Sequence, residues 1–254
     1  METLWRYGIL LATGTAAGFV DTIAGGGGLI TLPVLLSLGV SPQDALGTNK
    51  FQSSFGSGSA TIHYARAGVV DLRECGMGVL FTFLGAAIGA LAVLQIDPGF
   101  LRRLIPVLLV GIILYLMARP RIGFEDLHPR MKMGLFYVIF GLVLGFYDGF
   151  FGPGTGSFWA MALMFFLGFN MTKATGYTKA MNFTSNLFAL GVFVAGRRVR
   201  YDYGCVMAVG QLIGARFGAR EVIRRGAHFI RPVFLTVVVA ITLKLLYDSY
   251  LAGH

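Results

Sequence analysis

The sequence predicts an all-α polytopic membrane protein made of two internally repeated helical bundles with glycine-broken or re-entrant helices. Three observations carry this reading. First, the chain is apolar: 56% of its 254 residues are hydrophobic and 13% are charged, against roughly a quarter charged in a soluble domain, and its mean hydropathy is +0.71. Second, the charges gather in short clusters between long apolar stretches, which places most of the chain against lipid or other helices. Third, one pattern occurs twice. Gly18-Phe19-Val20-Asp21 leads into Gly25-Gly26-Gly27-Gly28, and Gly145-Phe146-Tyr147-Asp148 leads into Gly152-Pro153-Gly154-Thr155-Gly156. Each copy runs through an apolar stretch to Leu-Gly, at Leu38-Gly39 and Leu167-Gly168. Each then reaches a polar segment holding a lysine, Gly47-Thr48-Asn49-Lys50 or Gly176-Tyr177-Thr178-Lys179.

The elements follow in order. A spanning helix needs about 20 apolar residues. On that length the clear spans are 4–20, 77–94, 101–117, 133–150, 206–222 and 233–247. The apolar pieces 29–38 and 157–168 are too short to cross alone. The more polar stretches 44–65 and 173–195 cross only if protein or water covers their polar face. Eight to ten helical segments result. The first repeat bundle is 1–118, the linker 119–132 carries Pro120, Gly123 and Pro129, and the second bundle is 133–254. Residues 4–20 run into the repeat motif, so no cleavable signal peptide is expected. The net charge of +9 comes from arginines and lysines in loops, which positive-inside bias explains better than nucleic-acid binding. Cys75 and Cys205 belong to no paired Cys motif, so neither a disulfide nor a metal site is expected, and no cofactor is implied.

The chemistry sits where the repeat is densest. Four consecutive glycines hold a helix poorly, since each loses about 1 kcal/mol against alanine, and Pro153 removes a backbone donor. Such a break opens the N-terminus of the next half-helix, whose donors and partial positive charge suit an anion. Gly25, Gly26, Gly27, Gly28, Gly154, Thr155 and Gly156 are therefore candidate substrate-binding residues. Glycines also serve close helix packing, and Gly85/Gly89 and Gly214/Gly218 are read that way. In the polar helix after each break, three- and four-residue spacing groups Asn49, Gln52 or Ser53, and Gly56 on one face. It likewise groups Lys179, Asn182 and Asn186, or Thr178, Asn182 and Ser185. With Lys50, these are donors plus one cation per half, and neither segment contains a carboxylate, a set that fits an oxyanion. The competing reading has the lysines snorkelling to an interface and the amides tying helices together. Asp21 and Asp148 precede the breaks by about one helical turn. They are candidate proton-coupling residues, lysine partners or braces for the broken helix, with the brace favoured.

Other patterns are set aside. Thr175-Gly176-Tyr177-Thr178 lacks the full potassium-filter pattern, and Lys179 beside it repels cations. Ser157 with His63 suggests a hydrolase only weakly, because the repeat does not duplicate the pair. Neither glycine loop ends in Gly-Lys-Ser/Thr as a nucleotide loop would.

An internal repeat with a broken helix in each half is the pattern of secondary transporters. The run from Gly18 to Gly28, the Gly47-Thr48-Asn49-Lys50 segment and the second loop at Gly152–Gly156 resemble the TauE/SafE family, the sulfite exporter or sulfonate permease family, over nearly the whole chain. That resemblance implies a non-enzymatic secondary carrier exporting sulfite or an organosulfonate such as sulfoacetate across the cytoplasmic (inner) membrane. The alternatives are a carrier or channel for another small organic anion such as a carboxylate, or an intramembrane enzyme. The expected partners are that anion and the lipid bilayer, with no nucleic acid. A homodimer is compatible with the lipid-facing apolar surface.

Overall fold

The computed structural model describes residues 2–97, 100, 107 and 128–225. The expected spans 101–117 and 233–247 and most of the linker lie outside these residues. Within them the secondary structure is helical, in eight α-helices and one 3-10 turn. Helix α1, Glu2–Ala24, stops where Gly25 turns to φ +73°, a conformation that glycine adopts without strain. Helix α2, Gly27–Ser37, follows at once. Helix α3, Pro42–Arg66, has Pro42 in its first turn and Ser41 as cap, whose hydroxyl accepts the Asp44 N–H at 3.2 Å. A 3-10 turn, Leu72–Cys75, leads into α4, Gly76–Leu94. Helices α5, Met133–Phe150, and α6, Thr155–Leu167, flank the second break. Helix α7, Met171–Ala195, is capped by Asn170, and α8 is Tyr201–Arg225.

The segments Trp5–Ala24, Leu72–Leu94 and Met133–Phe150 are long and apolar enough to cross a membrane, whereas α2 and α6 are short. The short helices begin about two residues earlier than hydropathy alone implied. Gly27, Gly28, Thr155 and Gly156 wind into the first turns, where four N–H groups have no intrahelical partner in any case. The break itself is confined to Gly25–Gly26 and to 151–154.

Glycine sets the packing. On α1, Gly14 abuts Met207 and Gly18 abuts Gln211, while from α8 Gly214 abuts Thr15 and Phe19, and Gly218 abuts Phe19 and Thr22. Both sets of numbers rise together, so α1 and α8 run parallel at backbone contact. Helices α4 and α5 meet the same way, with Gly85 against Leu142 and Phe146, Gly89 against Phe150, and Gly149 against Ala86. In contrast, α3 and α7 run antiparallel: Tyr64 lies by Gly176, Gly58 by Phe183, and Ser57 bonds Asn186. Helix α8 lies along α3 in the same direction, Phe51 by Gly204 and Gly56 by Gln211. Helix α4 follows α7, with Thr82 bonded to Met181 and Leu94 by Gly196. Thus α1, α3 and α8 point one way and α4, α5 and α7 the other.

The two most extensive helix interfaces, α1–α8 and α4–α5, each join opposite halves of the sequence. One apolar cluster gathers Leu32, Leu35, Leu46, Phe193 and Met207, and a second gathers Tyr64, Phe136, Trp159 and Tyr177. Leu80, Leu84, Ile88, Leu135, Val143, Val209 and Phe217 remain exposed on the outer faces of α4, α5 and α8, the surface a bilayer covers.

Candidate functional site

The two breaks touch. Gly25 and Gly156 approach so closely that a side-chain carbon on either would overlap the other's backbone. The Ser157 hydroxyl donates to the Ala24 carbonyl at 2.6 Å across this contact, and Gly28 packs on Pro153. Each loop is also tied locally. Thr155 donates through Oγ1 to the Gly152 carbonyl at 2.6 Å, and Tyr147 donates to the Pro153 carbonyl at 2.8 Å. Gly154 caps α6 at φ +81°.

Beside the breaks lie two buried ion pairs, each crossing between sequence halves. Lys50 Nζ is 2.5 Å from Asp148 Oδ1 and donates to Asn186 Oδ1 at 3.1 Å. The other oxygen of Asp148 accepts from Ser185. Lys179 Nζ is 3.1 Å from Asp21 Oδ2, and Asp21 Oδ1 accepts the Gly27 N–H at 3.3 Å. Both lysine side chains are 1% exposed or less. Asp21 therefore braces the start of α2 and holds a lysine at once. Within the polar segments alone the lysines looked free of carboxylates. The fold supplies them from α1 and α5, as it must, because an unpaired buried ion costs several kcal/mol, on the order of 3–5 when its partner is removed.

Around the pairs runs a buried polar layer. Asn49 Oδ1 accepts from Thr31 at 2.6 Å and from Gln52 at 2.9 Å, with Ser53 at the edge of reach. Asn182 lies beside Gly156. All the expected Asn, Gln, Ser and Thr residues of α3 and α7 are buried here. Among the described residues, Gln52 Oε1, Asn182 Oδ1 and Thr178 Oγ1 have no hydrogen-bond partner, which a buried polar atom rarely tolerates unless water, an ion or a ligand meets it. Sequence reasoning missed Thr31, Ser57 and Gln211. Gln211 is buried in α8 against Gly18 and Gly56, with neither amide atom bonded among the described residues. A lone amide inside an apolar span was its available signal. Ser157 and His63 do not form a pair: Ser157 is committed to Ala24, and His63 Nδ1 faces the Ser59 carbonyl at 2.8 Å.

Chemically, the arrangement offers two ammonium groups, each neutralised by a tethered carboxylate, beside the opened ends of two half-helices. A family model described as Sulfite exporter TauE/SafE matches residues 10–245. The "Probable membrane transporter protein YfcA" of Escherichia coli (strain K12) is 45% identical over 243 residues, covering 96% of this chain and 90% of that protein. A "Probable membrane transporter protein" of Haemophilus influenzae is 42% identical over 241 residues, 95% of this chain and 94% of that one. "Sulfite exporter TauE/SafE family protein 6" of Arabidopsis thaliana is 31% identical over 101 residues, 39% of this chain and 24% of its own length. No solved structure matches the chain significantly. Fold, buried charges and relatives together define the class, a multi-pass helical membrane transporter. Within that class the chain belongs to the Sulfite exporter TauE/SafE family.

Proposed function

We propose that the protein is a secondary carrier that exports a small sulfur-containing anion, sulfite or an organosulfonate such as sulfoacetate, across the cytoplasmic membrane. The observation that carries this reading is the pair of crossed ion pairs at the glycine breaks, Lys50–Asp148 and Lys179–Asp21. A sulfonate has three acceptor oxygens, enough to replace a carboxylate on a lysine and still accept from neighbouring amides and hydroxyls. When the anion takes Lys50, Asp148 keeps Ser185; when it takes Lys179, Asp21 keeps the Gly27 amide. The unpartnered atoms of Gln52, Asn182 and Thr178 lie within the same buried layer.

Helix direction supports an inverted repeat. If α1, α3 and α4 correspond to α5, α7 and α8, every pair of counterparts runs oppositely, which places a two-fold axis in the membrane plane. Transport then proceeds by rearrangement of one repeat against the other around a central site. Relatives named as transporters, and the commitment of Ser157 to a backbone carbonyl, support a carrier over an intramembrane enzyme.

A second reading rests on a specific observation: the groups that occupy the lysines here are carboxylates. A small carboxylate is thus the competing substrate. Thermal unfolding of the purified protein with sulfite, sulfoacetate, sulfate and acetate separates the two. A ligand at 100 times its dissociation constant stabilises by about 2.7 kcal/mol. Stabilisation by sulfite or sulfoacetate, lost in Lys50→Gln and Lys179→Gln, is expected. Stabilisation by acetate alone discards the sulfur chemistry and keeps the carrier.

A further inference from the structure

Away from the centre, α8 carries a stripe with no assigned role. Leu212, Arg216, Arg220 and Arg224 follow at four-residue steps and so share one face. All four are exposed. The last three, with Ile223 and His63 from α3, line an open groove of about 470 Å³. No acidic side chain partners Arg216, Arg220 or Arg224 among the described residues. Glu221, next to Arg220 in sequence, is paired with Arg225 at 2.7 Å. Three guanidinium groups thus line one groove without an acidic partner among the described residues, at the edge of a surface whose neighbours Val209, Ile213 and Phe217 are exposed and apolar.

The position along the helix matters. Gln211 is level with Gly18, in the second half of α1, and with Gly56, near the middle of α3. With a rise of about 1.5 Å per residue, Arg216 to Arg224 cover the stretch from the inner hydrocarbon to the headgroup zone of a bilayer. Long arginine side chains reach outward to that zone from within the hydrocarbon. Among the described residues, Arg66, Arg73, Arg130, Lys132 and Lys173 lie at this same end of the helix array, with Asp71, Glu74 and Glu221. Arg6, Arg197, Arg198 and Arg200 lie at the opposite end, with Asp44, Asp97 and Asp202. The more basic end faces the cytoplasm by the positive-inside rule, and the leaflet there is the one whose anionic lipids attract basic pockets between helices.

We propose that the α3–α8 groove is a binding site for the phosphate headgroup of an anionic phospholipid of the cytoplasmic leaflet. Its acyl chain runs down Leu212 and Val209 toward the membrane centre. The occupant is a lipid rather than a free anion, because the arginine stripe continues directly into an exposed apolar one.

Native mass spectrometry of the detergent-purified protein with added phosphatidylglycerol or phosphatidylcholine tests this. Wild type retains phosphatidylglycerol in preference to phosphatidylcholine. The Arg216→Gln/Arg220→Gln/Arg224→Gln variant binds phosphatidylglycerol on the order of 100-fold more weakly, from the contribution of each basic residue near an anionic surface. Arg197→Gln/Arg198→Gln retains it. The single Arg220→Gln, which leaves most of the surface untouched, weakens retention roughly tenfold or less, and serves if the triple variant fails to fold. Equal retention of both lipids, undiminished phosphatidylglycerol on the arginine variants, or full displacement by millimolar inorganic phosphate overturns the assignment.

Discussion

Lys50 and Asp148 are the residues whose behaviour separates an exchange site from a structural strut. Lys50→Ala leaves a buried carboxylate unpaired and is expected to lower stability by about 3–5 kcal/mol. In Lys50→Ala/Asp148→Asn no charge remains, so thermal unfolding should return most of the way toward wild type, while transport into proteoliposomes stays absent. If the double variant transports normally, the pair is a strut and the substrate binds elsewhere. The lysines were legible in the sequence, because a cation inside a polar helix of an otherwise apolar chain stands out. Asp21 and Asp148 were legible as candidate lysine partners too, but which acid meets which lysine was not: Asp148 is 98 residues from Lys50 and Asp21 is 158 from Lys179, and no local pattern encodes a contact at that distance. Thr31 and Gln211 escaped for a related reason. Each is a single polar residue in an apolar run, and only the fold reveals that it faces the buried layer.

At the scale of elements, Gly25 and Gly39 form a controlled comparison. Both have positive φ, +73° and +81°. Nothing lies within 4 Å of a side-chain carbon at Gly39, whereas at Gly25 that carbon would overlap Gly156. Gly39→Ala should therefore cost about 1–2 kcal/mol from backbone conformation alone. Gly25→Ala should cost clearly more and should impair transport, as read from unfolding midpoints and flux in the same preparations. Equal effects would mean that the two breaks tolerate separation. The helices themselves were largely readable from apolar length, and α5 matches its predicted span end to end. What hydropathy did not convey was where each break stops, since glycine is as apolar in the first turn of a helix as in a loop. Nor did it convey which helices pair, because the α1–α8 and α4–α5 contacts depend on glycines meeting the backbones of residues far along the chain, such as Met207, Gln211, Leu142 and Phe146.

The whole molecule has a direction as well as a fold. In a Cys75→Ala/Cys205→Ala background, a membrane-impermeant maleimide should label Ser37→Cys, near the start of α3, in intact cells. It should reach Ala67→Cys, just beyond the end of α3, only after lysis. The opposite pattern would reverse the orientation that the basic residues imply. The paired charges at the centre carry a further consequence. Two lysines and two aspartates sum to zero, so the unloaded protein presents no net charge of this site to the transmembrane field. Loading with a monovalent anion adds one negative charge. Across a membrane that is negative inside, outward movement of that charge is downhill by about 2.3 kcal/mol per 100 mV. The membrane voltage would thus bias the loaded step outward while leaving the empty return indifferent to it.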